Sequence, residues 1–256
     1  MGGQVAGHLT RSGRVVYILD ADAEQAQRVS TDTSAVVAES AEVARKCPTV
    51  FVIVDNDAAV RSVGAALLDA PGALRRIVIC SSVLPTTVAE VAERAASSGV
   101  GVIDAAMVGG IRGVVAGTVT LFAGGDKSVL DDARADMAAW TSTIHHVGPL
   151  GAGQVAKSAN NLVHWAQVCA IDEALRIVAA AGLSVPAVRR ALTDGPADSR
   201  ALREIEHMKF TWWNKDLVGF RELAERVGSP HRVSDMCAEL MPDITVDSIA
   251  ELLATQ

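Results

Sequence analysis

Short runs of aliphatic residues punctuate the first 148 positions: VVYIL (15–19), VFVIV (50–54), RIVIC (76–80), VGVID (100–104), VTLFA (119–123) and STIHHV (142–147). Between several of them the pattern changes to helical spacing, over 57–69, from Pro85 to about 98, and over 126–141. Buried strands alternating with helices predict an α/β fold built on a parallel, doubly wound sheet. Ahead of the first run, a helix over about 3–11 ends in a turn at Gly13. From Gly151 onward the pattern is helical throughout. A long helix fits 152–182, with Gly182 closing it. Pro186 suits the first turn of the next helix. Further helices fit 199–209, 214–227, 230–241 and 246–254, and no strand is expected after 147. The expected division is therefore 1–148, α/β, and 149–256, all-helical.

Composition narrows this picture without overturning it. A chain of 256 residues has room for one large or two modest cores. Half of its residues are apolar but only 4% are aromatic, so those cores are built of Ala, Val, Leu and Ile. A net charge of −7 argues against a nucleic-acid surface, which needs a basic stripe. Cys47, Cys80, Cys169 and Cys237 form no CxxC pair and have no histidines at zinc spacing, which predicts free thiols in a reducing compartment and no metal site. No apolar run approaches the ~18 residues of a membrane span, and no signal peptide is expected, so the expected location is cytoplasmic.

Three stretches carry chemistry. The first, MGGQVAGHLTRSGRVVYILD, reads as the second half of a dinucleotide-binding unit, in which Asp20 follows Gly2 by 18 residues. The full unit starts with a strand and a GxGxxG turn, and an acid about 20 residues on grips the ribose hydroxyls. Here the first strand and the first two glycines are missing, and Gly2 stands as the third. An upstream start, another segment filling the gap, and a degraded site are the three explanations. No base follows Asp20 until Arg28, so the carboxylate repels a 2′-phosphate and favours NAD over NADP. The alternative for Asp20 is a solvated acid at a strand end. The second stretch, DAAMVGGIRGVVAGTVTLFAGG (104–125), clusters Gly109, Gly110, Gly113 and Gly117 directly after a strand. Such glycines either present N–H groups to an anion or form an ordinary turn. The third, GAGQVAKSANN (151–161), holds Lys157, which stands alone among Asp, Glu, Lys and Arg between 137 and 171. On a helix Lys157 and Asn161 share a face, with Asn160 beside them. An apolar setting disfavours a lysine's charged form and suits it to proton transfer, whereas a snorkelling surface lysine is the bland reading.

In this order the stretches resemble the β-hydroxyacid dehydrogenase family, of the 3-hydroxyisobutyrate dehydrogenase and tartronate semialdehyde reductase type, related to 6-phosphogluconate dehydrogenase. MGGQVAGHL is similar to the end of the family's cofactor fingerprint, DAAMVGGIRGVVAGT to its substrate segment DAPVSGGxxGAxxGT, GAGQVAKSANN to its catalytic segment GxGxxxKxxNN, and NKDL (214–217) to its Lys-Asp dipeptide. The resemblance implies a Rossmann-type domain followed by a helical one. It also implies an NAD cofactor (NADP possible) held by Gly2, Asp20 and Lys215, and a small hydroxy acid or semialdehyde as substrate. Lys157 becomes the general acid and base, and Asn161 orients it or the substrate. Val108, Gly109, Gly110 and Asn160 face the substrate. A homodimer or homotetramer is implied as well. Val108 stands where the family has a serine, and Ala106 where it has a proline, so one donor to a substrate carboxylate is gone; Arg112 is the nearby replacement. His164, seven residues after Lys157, and the Trp212–Trp213 pair border the site or belong to the core. Two alternatives stay open: a catalytically idle homologue acting as a binding or assembly module, and an enzyme similar to imine reductases, which usually lack the lysine.

Overall fold

The computed structural model describes residues 1–255. Its contacts group into two compact units, Met1–Lys157 and the residues from Ser158 onward. The first unit alternates helices and strands: α1 (Gly2–Arg11), β1 (Tyr17–Ile18), α2 (Ala23–Thr33), β2 (Val36–Val37), α3 (Ser40–Lys46), β3 (Thr49–Val52), α4 (Asp57–Leu68), β4 (Arg76–Ile79), α5 (Pro85–Ala96), β5 (Gly101–Val108), α6 (Gly110–Ala116), β6 (Val119–Gly124), α7 (Lys127–Met137) and β7 (Thr141–Gly148). Local chemistry sets these starts. Asp22, Asn56 and Asp126 accept from backbone N–H groups in the first turns of α2, α4 and α7, and Pro85 opens α5.

The strands form two sheets. One holds β1 and β2 in parallel; the other has the order β3-β4-β5-β6-β7, parallel except between β5 and β6. Strand alternation makes the larger sheet two-faced. Val78 and Ile103 join one core with Leu121, Leu130, Met137 and Trp140, while Ile77, Ile79 and Val102 join another with Leu67, Val88 and Val91. Trp140 is fully buried and meets the ring of Phe51 edge-on at 5.6 Å.

The expected runs all lie on strands, with differences at their ends. β5 continues four residues past Asp104, because the apolar AAMV has a partner strand in β6. β6 returns antiparallel, since only the seven-residue α6 separates it from β5. The glycine-rich segment after 108 thus contains a helix rather than a plain turn. α2, β2 and α3 were not foreseen: β2 is two exposed valines, too short to carry an alternating pattern.

The second unit is helical. α8 (Ala152–Ala180) runs into it and is followed by α9 (Val185–Leu192), α10 (Arg200–Glu204) with a 3₁₀ turn at Ile205–His207, α11 (Trp213–Arg226), α12 (Arg232–Leu240) with a 3₁₀ turn at Met241–Asp243, and α13 (Val246–Leu253). Gly182 lies at φ +72° just past α8, and Pro186 sits in the first turn of α9. A capping box between Thr245 and Ser248 starts α13. The core packs Trp165 and Val168 of α8 with Ile205, Leu217, Cys237, Met241 and Ile249. Among the described residues no strand follows Gly148, and no helix is long and apolar enough to cross a membrane.

Candidate active site

The first turn of α8 is fastened by side chains from the sheet. β5, β6 and β7 bring Asp104, Gly124 and Gly148 side by side. The Asp104 carboxylate, fully buried, accepts from the N–H of Gly151 at 2.7 Å and of Gln154 at 2.8 Å. An anion there satisfies otherwise orphaned donors and complements the positive end of the helix. Burial pushes this carboxyl above the ordinary aspartate value, while the N–H groups of Gly151 and Gln154 pull it down. Gln154, also buried, donates to the Ser81 carbonyl at 2.9 Å and accepts from the Val83 N–H at 3.1 Å. The loop it grips is itself held, because the Leu84 N–H and the Thr87 hydroxyl both donate to Asp57.

Such close approach needs glycine. A Cβ on Gly153 would lie 2.3 Å from the Phe122 carbonyl oxygen and 2.6 Å from Asp104. One on Gly124 would lie 2.6 Å from the Pro149 carbonyl oxygen. Gly153, one of the small residues that make GAGQVAKSANN look bland, therefore serves the helix start.

Lys157 follows one turn beyond Gly153 and is half-buried. Asn161 comes a turn later on the same helix and is buried, with the Asn160 side-chain amide donating to its carbonyl at 3.3 Å. His164 packs against Trp165 with ring centroids 4.8 Å apart and the planes tilted by 56°.

Val108 is the last residue of β5, half-buried and paired with Thr120. Gly109 and Gly110 follow at φ +120° and +62°, angles that a side chain disfavours, and lead into α6. Arg112 is exposed in its first turn. α6 is tied to α1 by His8, whose Nε2 lies 2.9 Å from the Val114 carbonyl oxygen.

Gly2 opens α1, and Asp20 lies exposed just past β1, one carboxylate oxygen accepting from the Asp22 N–H at 3.0 Å. A Cβ on Gly2 would meet only Ile53, at 3.9 Å, so the approach to the N-terminus of α1 is open. In the second unit Lys215 is exposed near the start of α11, and its neighbour Asp216 accepts from the Trp165 indole N–H at 3.0 Å. Trp213 packs on the core, whereas Trp212 is largely exposed.

The thiols have no part in this chemistry. All four cysteines are free, and burial pushes Cys169 up to about 12 and Cys80 higher still. Among the described residues no group of acids, histidines or cysteines is placed to hold a metal. Sequence reasoning assigned no role to Asp104, Gln154 or His8. The available signal was a carboxylate ending the apolar VGVID run, where a solvated acid is out of place.

Residues 1–148 match the family model described as the NAD binding domain of 6-phosphogluconate dehydrogenase. Residues 151–250 match the one described as NAD-binding of NADP-dependent 3-hydroxyisobutyrate dehydrogenase. The chain is 31% identical over 193 residues to the NAD-dependent L-serine dehydrogenase of Pseudomonas aeruginosa, covering 72% of this chain and 62% of the relative. It is equally similar, with the same coverage, to the 2-(hydroxymethyl)glutarate dehydrogenase of Eubacterium barkeri. The match thus spans less than two thirds of these relatives' length. In fold it is similar to the solved structure of Mycobacterium tuberculosis 3-hydroxyisobutyrate dehydrogenase with L-serine, at TM-score 0.85 and 24% identity, covering 99% of this chain and 96% of that one. The chain belongs to the β-hydroxyacid dehydrogenase family.

Proposed function

We propose that this chain is an NAD-dependent oxidoreductase interconverting a small hydroxy acid and its semialdehyde, with Lys157 as general acid and base. The observation that carries the reading is the position of Lys157, one turn past a helix start fastened by Asp104 and Gln154 to the carboxyl-end side of the sheet. Ligands of open α/β sheets bind on that side. L-serine, 2-(hydroxymethyl)glutarate and 3-hydroxyisobutyrate, named for the relatives, share a CH₂OH group bonded to the carbon that bears a carboxylate, and we assign that substrate class here. We take 1–148 as the dinucleotide-binding domain and 149–256 as the helical domain, a division supported by where the two family models change over.

The residues present fit NAD at its ribose end. Asp20 is exposed, one of its oxygens is engaged by the Asp22 N–H, and the next base along the chain is Arg28. Asp20 would hold the ribose hydroxyls, Gly2 would face the pyrophosphate at the start of α1, and Lys215 would lie near the cofactor. When bound, NAD supplies the acceptor for a hydride. Lys157 in its neutral form takes the hydroxyl proton as the alcohol becomes an aldehyde, and returns it in reduction. Asn161 holds the lysine or the substrate oxygen, and Asn160 fixes Asn161. Gly109 and Gly110 offer N–H groups to the carboxylate beside Val108, with Arg112 close in sequence.

Replacing Lys157 with Met tests this. Turnover of such hydroxy acids should fall by about 10²–10⁴, with NADH affinity and thermal stability unchanged. Unchanged turnover would overturn the assignment. Val108, standing where the family has a serine, favours a second reading, an idle homologue, which requires that the chain bind no NADH in a fluorescence titration.

A further inference from the structure

α6 is a short helix between glycine joints. Gly109 and Gly110 lead into it at φ +120° and +62°, and Gly117 ends it at φ +68°. Joints of this kind accept many orientations, so contacts made by the helix itself must fix its direction. α1 supplies two. Val5 and Leu9 of α1 pack with Val114 in one core. His8, on the same helix, closes the carboxyl end of α6, its Nε2 lying 2.9 Å from the Val114 carbonyl oxygen and 3.2 Å from that of Val115. The last carbonyls of a helix find no partner within it, and here the Gly117 N–H reaches the Val114 oxygen only at 3.3 Å.

The partners of the imidazole fix its tautomer. Carbonyl oxygens only accept, so Nε2 carries the hydrogen. The Arg11 guanidinium only donates, and its Nη2 lies 3.1 Å from Nδ1, so Nδ1 accepts. One neutral form of the ring satisfies all three contacts. The ring also sits tightly against the end of α6, since a Cβ on Gly117 would lie 3.0 Å from its Cε1.

We infer that His8 is a positioning residue for the substrate. From the helix assigned to the cofactor it sets the direction of α6, and with it the place of the Gly109 and Gly110 N–H groups assigned to the substrate carboxylate. The inference rests on that assignment. α6 has seven residues and spans about 10 Å, so a tilt at its Val114–Val115 end displaces its start at Gly110 as well. Lys157 is placed separately, on α8, whose first turn is fastened by Asp104 and Gln154. His8 therefore acts on how the acid is held and not on the proton transfer. Losing it raises KM and leaves kcat in place, the mark of a contact that serves ground state and transition state alike.

The test compares the original chain with His8→Ala and with His8→Gln, whose side-chain amide can donate from near the place of Nε2. 3-Hydroxyisobutyrate is titrated in the presence of NADH and followed at the amide resonances of Gly109 and Gly110, which needs no turnover. His8→Ala should weaken binding by about tenfold, the equivalent of one hydrogen bond, and His8→Gln should recover it to within about threefold. In turnover with NAD, KM should move by the same factors while kcat stays within about twofold. A lower melting temperature of His8→Ala with unchanged binding would reduce His8 to a structural tie and overturn the inference. A fall in kcat as large as the rise in KM would overturn it too, as would failure of His8→Gln to recover binding. No saturable shift at Gly109 and Gly110 in the original chain would also overturn it. A chain that binds the acid at these glycines but turns none over would sink the oxidoreductase reading alone, with the titration still deciding the part of His8.

Discussion

The first turn of α8 and the β1–β2 pair sit in one unit and are built in opposite ways. The turn is held by a buried carboxylate, a buried amide and two glycines that admit no side chain. The pair consists of two residues on each strand, with β2 exposed and β1 opening on a cavity. Both carry assigned roles, Lys157 following the turn and Asp20 following β1. Under the proposed function, dense fastening falls where a proton would move over a short distance, and a sparsely bonded pair falls where a long cofactor would be gripped.

That contrast has measurable consequences, largest first. Asp104→Ala strands the N–H groups of Gly151 and Gln154, at about 1–3 kcal/mol for each buried donor, read as a lower denaturant midpoint. Gly153→Ala forces a Cβ into the Phe122 carbonyl oxygen and should cost about 1–3 kcal/mol. It should also lower kcat by moving Lys157, while leaving NADH affinity alone. Asp104 also gives stability a pH signature. Its carboxyl is raised by burial, so the folded chain keeps the proton where the unfolded chain has lost it. Its contribution to stability therefore falls as pH rises from the ordinary aspartate value through the raised one, and Asp104→Asn should flatten that part of the profile. The smallest effect belongs to the other region. Val36→Thr, at a residue 46% exposed, should stay within about 0.5 kcal/mol. A cost there as large as that of Gly153→Ala would break the comparison.

The same contrast explains what the sequence revealed. β4 and β5 of the large sheet were legible because burial on two faces demands an apolar run such as RIVIC, whereas β7 was legible in STIHHV although it is largely exposed. β2 was not, since two exposed valines carry no pattern. α6 hid inside a glycine cluster, its positive-φ entry at Gly109 and Gly110 masking the helix behind it. Lys157, Asn160 and Asn161 were legible as candidates because helical spacing is local. Asp104 and Gln154 act across 47 and 50 residues of chain on α8, and 73 residues back to Ser81, and no local spacing encodes such distances.

The register of β5 separates two tasks along one strand. Asp104 serves mechanics, opposite Gly124, and Val108 to Gly110, to which we assign recognition, lie past the point where β5 has left β4 behind. For anyone redesigning this protein, the two ends are independent dials. Val108, Ile111 and Arg112 are open to substitution in search of new substrates, whereas Gly109 and Gly110 are held to glycine by their positive φ. The stretch from Gly101 to Met107 tolerates no insertion or deletion, because a shift of one position would exchange its faces and carry the buried carboxylate away from the helix it anchors.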